Sequence, residues 1–180
     1  GTLSQYRPDQ WAAAVGPAVT DGRIWSTSKE KRPCFVVHRD PKAKARLKFD
    51  IEPIDKPPAD AWEVIAGGPM LVQDGKIVPP KNKVRHPRTA IGLDKPSKTM
   101  IILVVDGRRP GVSIGMTFDE LSQEMLRLGC WQALNLDGGG SSVMAIRDID
   151  DRPVIVNTPS DGRERAVANV LGISWERKTP

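Results

Sequence analysis

Three consecutive glycines, Gly138, Gly139 and Gly140, follow Asp137 and precede Ser141 and Ser142. Glycine runs lose much backbone entropy on folding, so they make sense where a chain bends sharply or must approach a ligand closely. A loop of this kind can turn its amides toward an anion. Asp137 then stands at the end of an apolar run, and the two serines offer hydroxyls beyond the loop. A plain glycine-rich turn is the simpler reading of the same residues. A P-loop is excluded because no Gly-Lys-Ser/Thr follows. A nucleophile elbow is excluded because Val143 stands where Gly-x-Ser-x-Gly needs its second glycine.

A second polar cluster runs from Asn157 through Thr158, Ser160, Asp161, Arg163 and Glu164 to Arg165, directly ahead of a mostly apolar segment. A solvated loop would explain its polarity, while its place before an expected strand fits a site built at a strand end. Two more segments share that layout. Asp106 and Arg108 follow the apolar run Met100–Val105, and Arg88 and Thr89 open another run. Charges at the ends of buried strands are costly unless they meet partners, so each is either part of a salt-bridge network or of a binding pocket. Together, these carboxylates, arginines and glycines suit an anionic, hydroxyl-rich ligand.

The elements that must position these residues are mainly strands. Asp-Gly recurs five times, and the pairs at Asp21-Gly22 and Asp74-Gly75 lie between apolar residues, as in hairpin turns. Apolar runs at 62–66, 70–73, 89–93, 99–105, 131–136, 143–147, 153–156 and 167–174 read as strands. Leu47, Phe49 and Ile51 alternate with charged residues, the period of a strand with one solvated face. Thr117 and Glu120 form the pattern of a capping box, with Phe118, Leu121, Met125 and Leu128 at helical spacing and Gly129 as the stop. The expectation is an α+β fold, a mixed, largely antiparallel β-sheet with a few packed helices, in a single domain over residues 1–180.

The chain's 180 residues and 19.7 kDa fit one domain with a substantial core. Its longest apolar run, six residues from Met100 to Val105, is far below the roughly 20 needed for a membrane-spanning helix. No signal-peptide pattern opens the sequence. A net charge of +5 invites a nucleic-acid reading, but eight of the basic residues crowd into 29–48 and no aromatic residues interleave with them as a stacking platform requires. No nucleic-acid partner is therefore expected. Cys34 and Cys130, with only two histidines in the chain, give no zinc pattern and read as two buried free thiols, or as a pair if the fold brings them together. No cofactor is required by anything in the sequence, and the carboxylates near the glycine loop leave a divalent cation open.

Taken in order, Gly67-Gly68-Pro69 with Asp74-Gly75, Arg88–Gly92, Val105–Arg108, Gly115–Leu121, Leu134–Ser142 and Pro159–Arg165 resemble the phosphodiester glycosidase family over residues 62–173. The resemblance implies hydrolysis of a sugar-1-phosphodiester, with release of the sugar from a phosphorylated glycan or polymer. It implies Asp137 and Glu164 as a base or nucleophile pair with Asp106 in reserve. Phosphate and substrate contacts would come from Gly68, Arg88, Thr89, Arg108, Gly138, Gly139, Gly140, Ser141, Ser142, Asn157, Ser160, Asp161 and Arg165. The alternative is a non-catalytic domain that binds anionic glycans in the same pocket. Family members usually carry an Asn-Ala/Gly-x-Phe segment on the N-terminal side; it has no counterpart here, so an N-terminal part of the family domain is expected to be missing and to act as a partner segment. The resemblance also implies a secreted, periplasmic or cell-envelope location.

Overall fold

The computed structural model describes residues 14–40, 47–167 and 169–174. Among them, in chain order, lie β1 (Ala18–Thr20), β2 (Arg23–Ser26), β3 (Arg32–Arg39), β4 (Leu47–Ile54), β5 (Ala61–Ala66), β6 (Met70–Gln73), β7 (Lys76–Ile77), β8 (Arg88–Leu93) and β9 (Met100–Val105). The helix α1 (Phe118–Arg127) follows, then β10 (Gln132–Asn135), a 3-10 turn at Gly139–Ser141, β11 (Ala145–Arg147) and β12 (Pro153–Ile155).

The strands form two five-stranded sheets, ordered β2-β1-β5-β3-β4 and β7-β6-β10-β8-β9, with β11 and β12 as a separate hairpin. Every pairing is antiparallel. At the β1–β2 turn Asp21 and Gly22 have φ of 52° and 75°, and at the β6–β7 turn Asp74 and Gly75 have 52° and 70°. Two successive left-handed residues give the turn whose twist matches that of the flanking strands.

Alternation along the strands sorts the core into layers. From β3, Phe35 and Val37 meet Ile91, Leu93 and Leu134 of the second sheet, so the main core lies between the sheets. Ala90, Ala133 and Leu71 face the other way and pack under Leu121 and Met125 of α1. Cys34 and Val36 join Val19, Ala61 and Val64 on the far side of the first sheet. Each fully buried aliphatic side chain contributes about 1.5–3 kcal/mol of transfer free energy, so both faces of β3 and β8 bind their sheets into the stack.

The fold is largely antiparallel β, as expected, but two expectations are corrected. Instead of a few packed helices, the described residues contain the single α-helix α1. It starts at the expected capping box, with Thr117 Oγ1 accepting from the Glu120 amide at 3.2 Å and Glu120 Oε2 accepting from the Thr117 amide at 2.9 Å. The apolar run 167–174 is the second departure: residues 169–174 carry no strand, and Val170 and Ile173 are exposed. Met100–Val105 forms a strand as expected, yet it closes the strand order of the second sheet and is half-buried throughout. No helix among the described residues is long and apolar enough to cross a membrane.

Candidate functional site

Antiparallel order brings distant parts of the sequence to one end of the second sheet. The starts of β6 and β8 and the ends of β9 and β10 meet there. The residues entering β6 include a cis Gly68–Pro69 bond. They are tied to the end of β10 by the Gly68 amide on Asn135 O at 2.7 Å. The Asn135 side chain returns the contact, donating from Nδ2 to Gly68 O at 2.8 Å and to Leu136 O at 2.7 Å. Its Oδ1 is buried with no hydrogen-bond partner among the described residues. The first sheet reaches the same end, where the Gly67 amide donates to Pro33 O at 2.9 Å.

Beyond β10 the chain enters the glycine loop. Asp137 Oδ1 accepts from the Gly138 amide at 3.0 Å, and the Gly139 amide donates to Pro87 O at 2.9 Å. Gly139 has φ of 64°, and a side chain there would press on the Arg108 guanidinium. A Cβ on Gly140 would overlap the Asp161 carboxylate and the Arg165 guanidinium. Gly139 and Gly140 therefore let three charged groups lie directly against the main chain, and Gly138 lets the Pro87 carbonyl do so.

The polar loop 157–165 is anchored from β9 and from Ser142. Asp106 Oδ1 accepts from Asn157 Nδ2 at 2.9 Å, and both Asp106 oxygens accept from the Thr158 amide at 3.0 Å. Asn157 Nδ2 also donates to Ser142 O at 3.0 Å, while its Oδ1 takes the Met144 amide at 2.8 Å. Thr89 Oγ1 donates to Ser142 Oγ at 3.2 Å. Farther along, Arg165 Nη2 and Nε bond Asp161 Oδ2 at 2.5 and 3.1 Å, and Ser160 Oγ reaches Asp161 Oδ1 at 3.4 Å. The Arg165 guanidinium holds the Asp161 carboxyl below its ordinary range.

The cations are distributed unequally. Arg88 is buried, with Nε donating to Met116 O at 2.9 Å and Nη2 to Val84 O at 3.1 Å. Its guanidinium also stacks on the Phe118 ring at 3.9 Å. Those bonds tie β8 to the segment before α1. Arg108 is exposed, adopts φ of 58°, and forms no salt bridge among the described residues. Its Nη2 donates to His86 Nδ1 at 3.3 Å. Burial first, and then the positive charges of Arg108 and Arg88, push the His86 imidazole below its ordinary value. Both effects favour the neutral imidazole over the charged one. Sequence reading passed over His86; the His-Pro-Arg run just ahead of β8 was the available signal.

All but one of the expected site residues gather at this end of the second sheet through hydrogen bonds or backbone contacts. The exception is Glu164, which is exposed and has no hydrogen bond or ion pair among the described residues. No group of three or more His, Cys, Asp or Glu among the described residues is placed to hold a metal ion. A separate depression of about 660 Å³, lined by Gly22, Arg39, Asp60 and Trp62 among others, lies at the opposite end of β3 and β5.

A family model described as phosphodiester glycosidase matches residues 4–174. The chain belongs to the phosphodiester glycosidase family. It is 42% identical over 92 residues to the SPbeta prophage-derived uncharacterized protein YomE of Bacillus subtilis, spanning 51% of this chain and 13% of that protein. The fold is similar to the catalytic domain of zebrafish N-acetylglucosamine-1-phosphodiester alpha-N-acetylglucosaminidase, which is described as auto-inhibited by its pro-peptide, with a TM-score of 0.61 at 22% identity. That match covers 82% of this chain and 51% of the zebrafish chain. A putative exported protein of Burkholderia pseudomallei gives a TM-score of 0.64 at 15% identity, covering 89% of this chain and 62% of that one. The chain thus spans about half to three-fifths of the solved chains it resembles.

Proposed function

We propose that this chain hydrolyses a sugar-1-phosphodiester at the glycine-loop end of the second sheet, breaking the bond between the anomeric carbon and the phosphate oxygen. The observation that carries this reading is Arg108, which has no salt bridge among the described residues and lies against Gly139 in the glycine loop that the half-buried Asp137 opens. A phosphomonoester is an acidic leaving group, so its departure needs little protonation. Arg108 and the glycine-loop amides would stabilise the charge that builds on the phosphate oxygen. Asp137, with Oδ1 held by Gly138, would act on the anomeric carbon or activate water. Glu164 would complete the pair from loop 157–165. Asp106 would position that loop, since both its oxygens are engaged by Asn157 and Thr158. Arg88, with Nε and Nη2 bonded to the Met116 and Val84 carbonyls, would not contact phosphate through those atoms. No cofactor enters this reading, and export is proposed with it, in keeping with the exported and pro-peptide-bearing proteins of like fold.

The exposure of Glu164 favours one second reading, a domain that binds anionic glycans without cutting them. Hydrolysis of an aryl diester of a sugar-1-phosphate separates the two. On the catalytic reading the parent turns over, and Asp137→Asn and Glu164→Gln each lose about 100- to 10,000-fold while keeping the parent's melting temperature. A folded parent that binds the diester without turnover sinks the catalytic reading in favour of the binding one.

A further inference from the structure

The cluster of Arg88, Arg108 and His86 offers a charge-matching device beyond simple anion attraction. Arginine can only donate, so the His86 Nδ1 that faces Arg108 Nη2 at 3.3 Å is a lone pair, and the proton of the neutral ring sits on Nε2. The ring is held in place by its own backbone. His86 N donates to Met116 O at 3.2 Å and Met116 N to His86 O at 3.0 Å. Gly115 packs so closely that a Cβ there would overlap the His86 main chain.

We propose that His86 couples hydrolysis to proton uptake, remaining neutral beside a phosphodiester monoanion and accepting one proton when the reaction leaves a phosphomonoester dianion in the site. This rests on the phosphodiester reading above. The balance is simple. Water adds across the C–O bond, the sugar leaves with the hydroxyl, and the phosphomonoester, whose second ionisation lies near pH 6, sheds a proton at neutral pH. That proton goes to His86 Nδ1.

The surrounding charges explain why the second negative charge needs a second positive one. Arg88, from β8, is bonded to main-chain carbonyls. Arg85, just ahead of β8, is paired with Glu120 at the start of α1. Asp161 is paired with Arg165. Asp106 is engaged by loop 157–165 and Asp137 by the Gly138 amide. Arg108 alone matches one negative charge. A dianion beside Arg108 both offsets the field that keeps His86 neutral and attracts the imidazolium. Protonation removes the Nδ1 lone pair, so Arg108 is released to pair with the product.

The test uses the whole chain with two probes, methyl phosphate as dianion and dimethyl phosphate as monoanion, at pH 7.5. Nitrogen-15 imidazole spectra follow His86 directly, with His38, between Asp50 and Asp60, as the other histidine of the chain. Methyl phosphate is expected to raise the His86 titration midpoint by at least about one pH unit, and dimethyl phosphate to leave it nearly unmoved. Calorimetry in buffers of different ionisation heat is expected to show net proton uptake on binding methyl phosphate, lost in His86→Gln. Binding of methyl phosphate with an unmoved His86 midpoint overturns the proposal. So does uptake that persists in His86→Gln, which places the proton on the phosphate. If neither probe binds the parent, the phosphodiester reading itself fails, and the proposal falls with it.

Discussion

Three aspartates at the site share one chemistry and differ in what they touch. Asp161 is held by Arg165, Asp106 by backbone and amide donors of the loop, and Asp137 by one amide, which leaves its Oδ2 without a hydrogen bond among the described residues. Availability, more than residue type, separates a reacting carboxylate from a structural one. Asp106→Asn tests this assignment. With its carbonyl at the Oδ1 position the amide keeps Asn157 but brings an NH2 against the Thr158 N–H, and turned over it sets the NH2 against both donors, so loop 157–165 loosens either way. The Thr158 amide is expected to exchange with solvent at least about 10-fold faster, equal to the loss of about 1.4 kcal/mol of local protection. Unchanged exchange would show that Asp106 does not anchor the loop. The two cysteines illustrate the same dependence on surroundings: burial pushes the Cys34 thiol up to about 12 and the Cys130 thiol up to about 11, and both are free.

At the scale of elements, what local chemistry dictates was legible, and what tertiary contact dictates was not. The Asp21-Gly22 and Asp74-Gly75 hairpins and the Thr117–Glu120 cap follow from residues within four positions of one another. The glycine loop was legible for the same reason. The direction of Arg88 was not, because the Met116 carbonyl and Phe118 ring that capture it lie about 30 positions away in sequence. The apolar pattern of 167–174 matched a strand, but period alone does not supply a pairing partner, and Val170 and Ile173 remain exposed. The cap is the sharpest element-scale test. Thr117→Ala removes the acceptor for the Glu120 amide and is expected to cost about 1 kcal/mol in urea unfolding with an unchanged m-value. The Arg85–Glu120 ion pair persists in that variant, so a loss near zero would mean the pair, and not the cap, fixes the start of α1.

For the whole molecule, the question is whether the two sheets behave as one cooperative unit, which we propose they do. The core between them draws Phe35, Val37 and Ile51 from the first sheet and Ile91, Leu93 and Leu134 from the second. Hydrogen bonds cross at the site as well, through Gly67 and Pro33. Neither sheet can expose its inner face without losing several fully buried aliphatic side chains, so separate opening costs nearly as much as complete unfolding. Leu134 is fully buried in that shared core. Leu134→Ala is expected to destabilise the chain by about 2–5 kcal/mol. On the one-unit reading, native-state hydrogen exchange slows or speeds together in β3 and β8, so amides of both strands lose the same protection in the variant. Loss confined to β8, with β3 protected as in the parent, would show that the sheets open independently. The glycine-loop site would then rest on the second sheet alone, with Gly67 and Pro33 as a separable contact.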